Sequence, residues 1–162
     1  MHLLESKHIS DAEESFRIFM DIYGHSNAYP AYDLGSGNGT PGIVWSILNP
    51  ERKYTLVEID QRKSEFLKHC KRELDLKNLE VSNIDFKSYE YPADSIIIAR
   101  AFMNLNNLLA KGSFVREHRC FLLKGSTWNN ELDGIENLSF ESHPYTLKDG
   151  TQRTLLVYSP EK

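Results

Sequence analysis

Residues 31 to 43 read AYDLGSGNGTPGI, with Gly35, Gly37, Gly39 and Gly42 inside one short stretch. An apolar run precedes these glycines and TPGIVWSIL follows them, so the segment reads as strand, glycine loop, then helix. A junction of this kind commits a chain to a parallel strand feeding a helix across a close backbone approach. Pro41 is tolerated in the first helical turn, and Asn49-Pro50 ends the helix.

The same alternation continues downstream. YTLVEI reads as a strand and Arg62 to Leu76 as a helix. LEVSNI and DSIIIAR are further strands, the second an unbroken apolar run suited to burial on both faces of a parallel sheet. NLNNLLAKG predicts a short helix ending at Gly112, and RCFLLKG another strand. Near the start, Ser10 and Glu13 form a capping box, predicting a helix from there to Gly24. Phe16, Phe19, Met20 and Tyr23 share one face of it. At the far end, Asp149-Gly150 between LSFESHPYTL and RTLLVYS signals an antiparallel hairpin. The expected fold is α/β, a mostly parallel sheet with an antiparallel C-terminal hairpin. One domain is expected over 1–162, with a helical lead-in at 1–30 and the core at 31–162.

Composition narrows the function classes. The chain of 162 residues is 40% hydrophobic and 26% charged, a globular mixture. No run approaches the roughly 18 apolar residues of a membrane span, and MHLLESKHISDAEE lacks a signal-peptide core. Cys70 and Cys120 form no disulfide framework or metal-type pair. These features predict a cytoplasmic protein with neither membrane nor metal as partner. The net charge of −4 offers little to a nucleic acid, although charge distribution matters more than the sum. Arg52, Lys53, Arg62, Lys63, Lys68, Lys71, Arg72 and Lys77 cluster in one span. Acids are interleaved there, so the span reads as a solvated helix face.

Gly37, Gly39 and Gly42 satisfy G-x-G-x-x-G, and Glu58 lies 19 residues beyond Gly39 at the end of the next strand. Taken alone, that pattern suits NAD, with its pyrophosphate at the helix start and its ribose on Glu58. Asp33, just ahead of Gly35, argues against phosphates, because its carboxylate would repel them and attract an ammonium. Asp33, the glycines, Glu58 and Asp85, in that order, look like the motifs of S-adenosylmethionine-dependent methyltransferases. In such a site Asp33 faces the amino group of the methionine part, and Glu58 accepts from both ribose hydroxyls. Asp85 accepts from the adenine amino group and Ile84 packs on the ring. Asp85 is equally suited to capping a helix.

Beyond this, DLGSGNGTPGI, TLVEID, IIARAF, FLLKG and QRTLLVYS together resemble the RsmG (GidB) family of bacterial small-subunit ribosomal RNA guanine-N7 methyltransferases. Pro41-Gly42, Arg100-Ala101 and Lys124-Gly125 carry the resemblance, as does the opening HLLES. It implies a Rossmann-like class I methyltransferase fold. It also implies S-adenosyl-L-methionine as cofactor, held by Asp33, Gly35, Ser36, Gly37, Gly39, Thr40, Glu58, Ile59, Ile84, Asp85 and Arg100. Arg100, Lys124 and Arg153 match the family's basic positions around the active cleft, Lys124 and Arg153 to hold the phosphodiester or O6. Arg100 is expected to pair with Asp33, Asp85 or the cofactor carboxylate. Phe102, Trp128 and Tyr145 are aromatics available to stack on a flipped base. The partner implied is ribosomal RNA or the small ribosomal subunit. Members usually carry a helical extension ahead of the HLLES-like segment, which leaves room for a partner chain to supply that surface. Two other readings stand beside it: methyl transfer to a small molecule or protein, which fits the acidity, and a cofactor-binding accessory subunit without activity of its own.

Overall fold

The computed structural model describes residues 2–24, 27–100, 103–111, 116–131 and 138–160. Helix α1 (His2–Tyr23) leads into β1 (Ala31–Leu34), α2 (Gly42–Leu48), β2 (Tyr54–Val57), α3 (Gln61–Glu73) and β3 (Leu79–Ser82). Then come β4 (Ile96–Arg100), α4 (Leu105–Lys111), β5 (Arg119–Gly125), β6 (Glu141–Thr146) and β7 (Gln152–Tyr158). The seven strands form one sheet in the order β3-β2-β1-β4-β5-β7-β6. β1 pairs in parallel with β2 and β4, while β7 runs antiparallel to β5 and β6. The expected parallel sheet with its antiparallel terminal hairpin is therefore present.

Side chains along β4 show why the run IIIAR needs two covers. Ile96 and Ile98 join the core beneath α1 and α2 with Phe19, Trp45 and Phe121. Ile97 and Ala99 point the other way, toward Leu105, Leu108 and Leu122. Successive strand residues face opposite sides, so a strand buried on both faces has no polar position to spare. On the α1 side, Phe19 stacks on Trp45 at 4.8 Å and meets Phe121 edge-on. The Trp45 indole N–H donates to Ala12 O at 2.9 Å, tying α2 to α1.

Several boundaries differ from expectation. Helix α1 begins at His2 and runs through Ser10, so Ser10 and Glu13 do not form its start. A capping box is a local signal, and here packing of the whole helix against α2 and β7 prevails over it. Helix α3 starts one residue early, capped by Asp60, whose side chain accepts from Lys63 N at 2.9 Å. Within the basic span, Arg52 is not solvated. It is fully buried, donating to Tyr29 O at 2.6 Å with its guanidinium 5.3 Å from the Phe19 ring. The predicted helix end at Gly112 lies outside the described residues. The hairpin turn forms at Asp149-Gly150, with Gly150 at φ 84° and Leu147 N donating to Thr151 O.

Strand order reverses at β1, which has β2 on one side and β4 on the other. The connections leaving the C-terminal ends of β1 and β4 diverge there and open a crevice, the usual ligand position in open α/β sheets.

Candidate cofactor and substrate clefts

The glycine loop is anchored at both ends. Gly35 N donates to Val57 O at 2.8 Å, and the Ser36 hydroxyl to Asp33 O at 2.7 Å. Gly39 adopts φ 87°, and a Cβ there would strike Ile43 and Leu67. A Cβ on Gly42 would strike Leu56 and Asp33. These two glycines are required by packing within the protein itself, whatever lies against the loop.

Asp33 was expected to face an ammonium. Its side chain instead accepts from Gly42 N at 3.0 Å, and the residue is 2% exposed. Burial pushes its carboxyl up to about 7, against the opposing pull of the Gly42 N–H and of Arg100. The acid thus fixes the first turn of α2 and titrates near neutrality.

Glu58 follows β2 and is also buried. One oxygen accepts from Gly37 N at 2.8 Å and the other from Asp60 N at 2.9 Å. The Asn83 amide donates to Glu58 O at 2.8 Å and Ile59 O at 3.0 Å, holding this corner in place. Asp85 caps a single 3-10 turn, Phe86–Ser88, accepting from Lys87 N. Gly35, Glu58, Ile59, Ile84 and Asp85, with Met103, line a cleft of about 210 Å³. Ile59 is 66% exposed at its lip. Five of the expected cofactor positions therefore meet at one cavity. Asp33, Ser36, Gly37, Gly39 and Thr40 build the loop beside it and do not line it.

An adenosine fits this cavity by its chemistry. The isoleucines offer flat apolar contact, and each carboxylate keeps lone pairs beyond those its backbone partners use.

On the other side of Met103 lies a second cleft, of about 420 Å³, lined by His8, Asp11, Arg100, Lys124, Glu131 and Arg153 among others. The three basic residues expected at the active cleft all reach it, each already engaged. Arg100 pairs with neither Asp33 nor Asp85. Its Nε donates to Thr40 O at 3.1 Å, Nη2 to Asn38 Oδ1 at 3.2 Å, and Nη1 lies 2.6 Å from His8 Nδ1. Lys124 is 8% exposed, its ammonium on Met103 O at 2.8 Å and Glu131 Oε2 at 2.7 Å. The same Glu131 oxygen accepts from Leu105 N, so the pair secures the start of α4. Arg153 Nε sits 3.6 Å from Asp11 Oδ2, a carboxylate whose other oxygen accepts from Tyr145 OH at 2.5 Å.

Among the aromatics, Tyr145 is buried on Asp11 and has no face for a base. Trp128 packs against the core, and Phe102 lies outside the described residues. Sequence reasoning missed His8, Asp11, Asn83, Met103 and Glu131. Only Asn83, inside the quoted strand-end motif, stood near a recognisable signal. No cluster of three metal-ligating side chains occurs among the described residues, and no described helix is long and apolar enough to cross a membrane.

Comparison with known proteins agrees with the motifs. The family model described as "rRNA small subunit methyltransferase G" (GidB) matches residues 2–149. Ribosomal RNA small subunit methyltransferase G of Francisella tularensis subsp. novicida is 31% identical over 156 residues, covering 93% of this chain and 71% of the relative. Its Campylobacter curvus namesake is 36% identical over 112 residues, covering 67% and 60%. Ribosomal RNA small subunit methyltransferase G 3 of Bdellovibrio bacteriovorus is 36% identical over 106 residues, covering 64% and 48%. The chain thus spans about half to three fifths of the length of these last two relatives. None of these likenesses supports a partner chain. Among solved structures, a mutant of MtNAS in complex with S-adenosylmethionine superposes with a TM-score of 0.72 at 15% identity, covering 93% of this chain and 62% of that one. A human methyltransferase 10 domain containing protein gives 0.70 at 12% identity, covering 95% and 84%. These likenesses establish the Rossmann-like class I methyltransferase fold. With the family match over 2–149, they place this chain in the small-subunit ribosomal RNA methyltransferase G family, to which it belongs.

Proposed function

We propose that this chain is an S-adenosylmethionine-dependent methyltransferase acting on N7 of a guanine in small-subunit ribosomal RNA. The observation that carries the reading is the pair of clefts meeting at Met103 on the switch point. One is lined by Glu58, Ile59, Ile84 and Asp85, a set that suits an adenosine, and the other by Arg100, Lys124 and Arg153. Family membership supports the substrate. A cytoplasmic location and the small ribosomal subunit as partner follow from it.

When bound, S-adenosylmethionine supplies a methyl group already activated by its sulfonium. Glu58 would accept from the ribose hydroxyls, Ile59 and Ile84 would pack on the adenine, and Asp85 would accept from its amino group. Guanine N7 carries an unprotonated lone pair in the ring plane, so no general base is required. The protein's work is alignment of the two reactants, the effect that the paired clefts provide. Arg153 lines the cleft with its Nε turned toward Asp11, and its remaining guanidinium N–H groups suit a phosphodiester or O6. Lys124 acts through the wall it holds at Met103 and α4.

Transfer of tritiated methyl from S-adenosylmethionine to ribosomal RNA, small ribosomal subunits and small metabolites in parallel tests the reading. Label is expected in small-subunit RNA, as N7-methylguanine after digestion. Label confined to metabolites or protein would overturn the RNA assignment.

A further inference from the structure

The contact between Arg100 and His8 joins segments 92 residues apart and sits at the meeting point of α1, β4 and the glycine loop. A guanidinium has donors only, so at 2.6 Å the His8 Nδ1 must be the acceptor and carry no proton. His8 is then neutral, with its hydrogen on Nε2. The same guanidinium donates to Thr40 O and Asn38 Oδ1 in the glycine loop. His8 therefore fixes the orientation of the group that braces the loop from outside.

Helix α1 is itself docked independently of this contact. Lys7 bonds Thr151 and pairs with Asp149, Ala12 O receives the Trp45 indole, and Asp11 receives Tyr145 OH. His8 is thus presented to Arg100 from a fixed platform. The charged groups facing it are Lys7 and Asp11 on α1, Arg100 on β4 and Arg153 on β7, with the Lys124–Glu131 pair across the cleft. Burial and the three cations favour the neutral ring, while Asp11 opposes them.

We propose that His8 is a positioning residue for the cofactor site: neutral, it holds Arg100 on the glycine loop, and protonated, it releases that brace and weakens cofactor binding. The inference rests on the S-adenosylmethionine reading. The sign follows from linkage. A ligand that binds the form with neutral His8 binds more weakly as pH falls below the ordinary histidine range, near 6.5. Asp33, at about 7, titrates in the same interval, so wild-type slope alone does not isolate His8.

Two variants separate them. His8→Gln offers Arg100 a neutral acceptor that never takes a proton, and His8→Ala offers none. S-Adenosylmethionine affinity is measured by calorimetry from about pH 5.5 to pH 8. His8→Ala is expected to bind about three- to tenfold more weakly at the upper end, the scale of one hydrogen bond to a charged group acting indirectly. His8→Gln should restore wild-type affinity there and lose less of it at low pH, leaving only the slope due to Asp33 and the ligand. Equal affinity and equal slope in all three proteins would overturn the inference and leave the cofactor reading intact. Failure of the folded wild type to bind at any pH would overturn the cofactor reading and the inference with it.

Discussion

The two clefts that meet at Met103 are built on opposite terms. On the β1–β2–β3 side, Glu58 and Asp85 accept from backbone amides, Asp85 also pairs with the neighbouring Lys87, and an exposed isoleucine stands at the lip. On the β4–β5–β7 side, nearly every charge has an opposite one: Lys124 with Glu131, Arg153 with Asp11, Arg100 against a histidine and two loop oxygens. The first side is ready to accept a ligand as it stands. The second spends its charges on holding α1, α4 and the loops together. On the proposed reading, a cofactor would meet preformed acceptors, whereas a substrate would meet a wall of paired charges with their remaining donors and lone pairs. Basic residues around a cleft are not automatically phosphate ligands, because a buried lysine with a carboxylate partner is first a structural brace.

Substitutions on the two sides should separate cofactor binding from stability and transfer. The largest effect on ligand affinity is expected at Glu58. Removing both ribose acceptors in Glu58→Ala should weaken S-adenosylmethionine binding about a hundredfold, as two charge-assisted bonds are lost. Calorimetry checks it, and a change under threefold would equate the two sides. Gly42→Ala comes next. Its Cβ meets Leu56 and Asp33, so the loop must move, at a cost of about 1–3 kcal/mol in denaturant unfolding and with weakened cofactor binding.

Asp33→Asn is expected to act mainly through pH. In the wild type the carboxyl is held near 7, well above 3.8, so the folded state binds a proton that the unfolded state has released. Stability from this group is present at low pH and falls as pH rises through about 7. Asn should flatten that part of the stability profile. A cationic ligand favours the ionised acid, so wild type should also release more protons on binding than Asp33→Asn, read by calorimetry in buffers of differing ionisation enthalpy. The smallest effect on cofactor affinity belongs to Lys124→Met. It should cost about 1–3 kcal/mol of stability by stranding Glu131. Cofactor affinity should stay within about twofold while methyl transfer falls, because the wall at Met103 and α4 loosens.

The sequence made the first cleft readable and left most of the second unread, for a physical reason. Strand β1, the glycines, Glu58 and Asp85 are spaced along successive β-α units, and parallel topology brings strand ends together in a fixed way. Local pattern was therefore enough. The second cleft is assembled from pairs such as Asp11 with Tyr145, 134 residues apart, and Arg100 with His8, 92 apart. No periodicity announces which acid a distant base will meet. The same limit explains Ser10, where a capping motif of correct residues sits inside a longer helix because tertiary packing of α1 decides its length. It also explains Lys124, whose position at a strand end was legible but whose burial depends on Glu131 from a separate turn.

On the proposed reading, the glycine loop and Glu58 hold a sulfonium-bearing adenosine and not a dinucleotide. Parallel titration of the wild-type protein and Glu58→Ala with S-adenosylmethionine and with NAD tests it most directly. Binding of S-adenosylmethionine by the wild type, about a hundredfold weaker binding by the variant, and no heat from NAD are expected. Binding of NAD without S-adenosylmethionine, or equal S-adenosylmethionine affinity in both proteins, would contradict it.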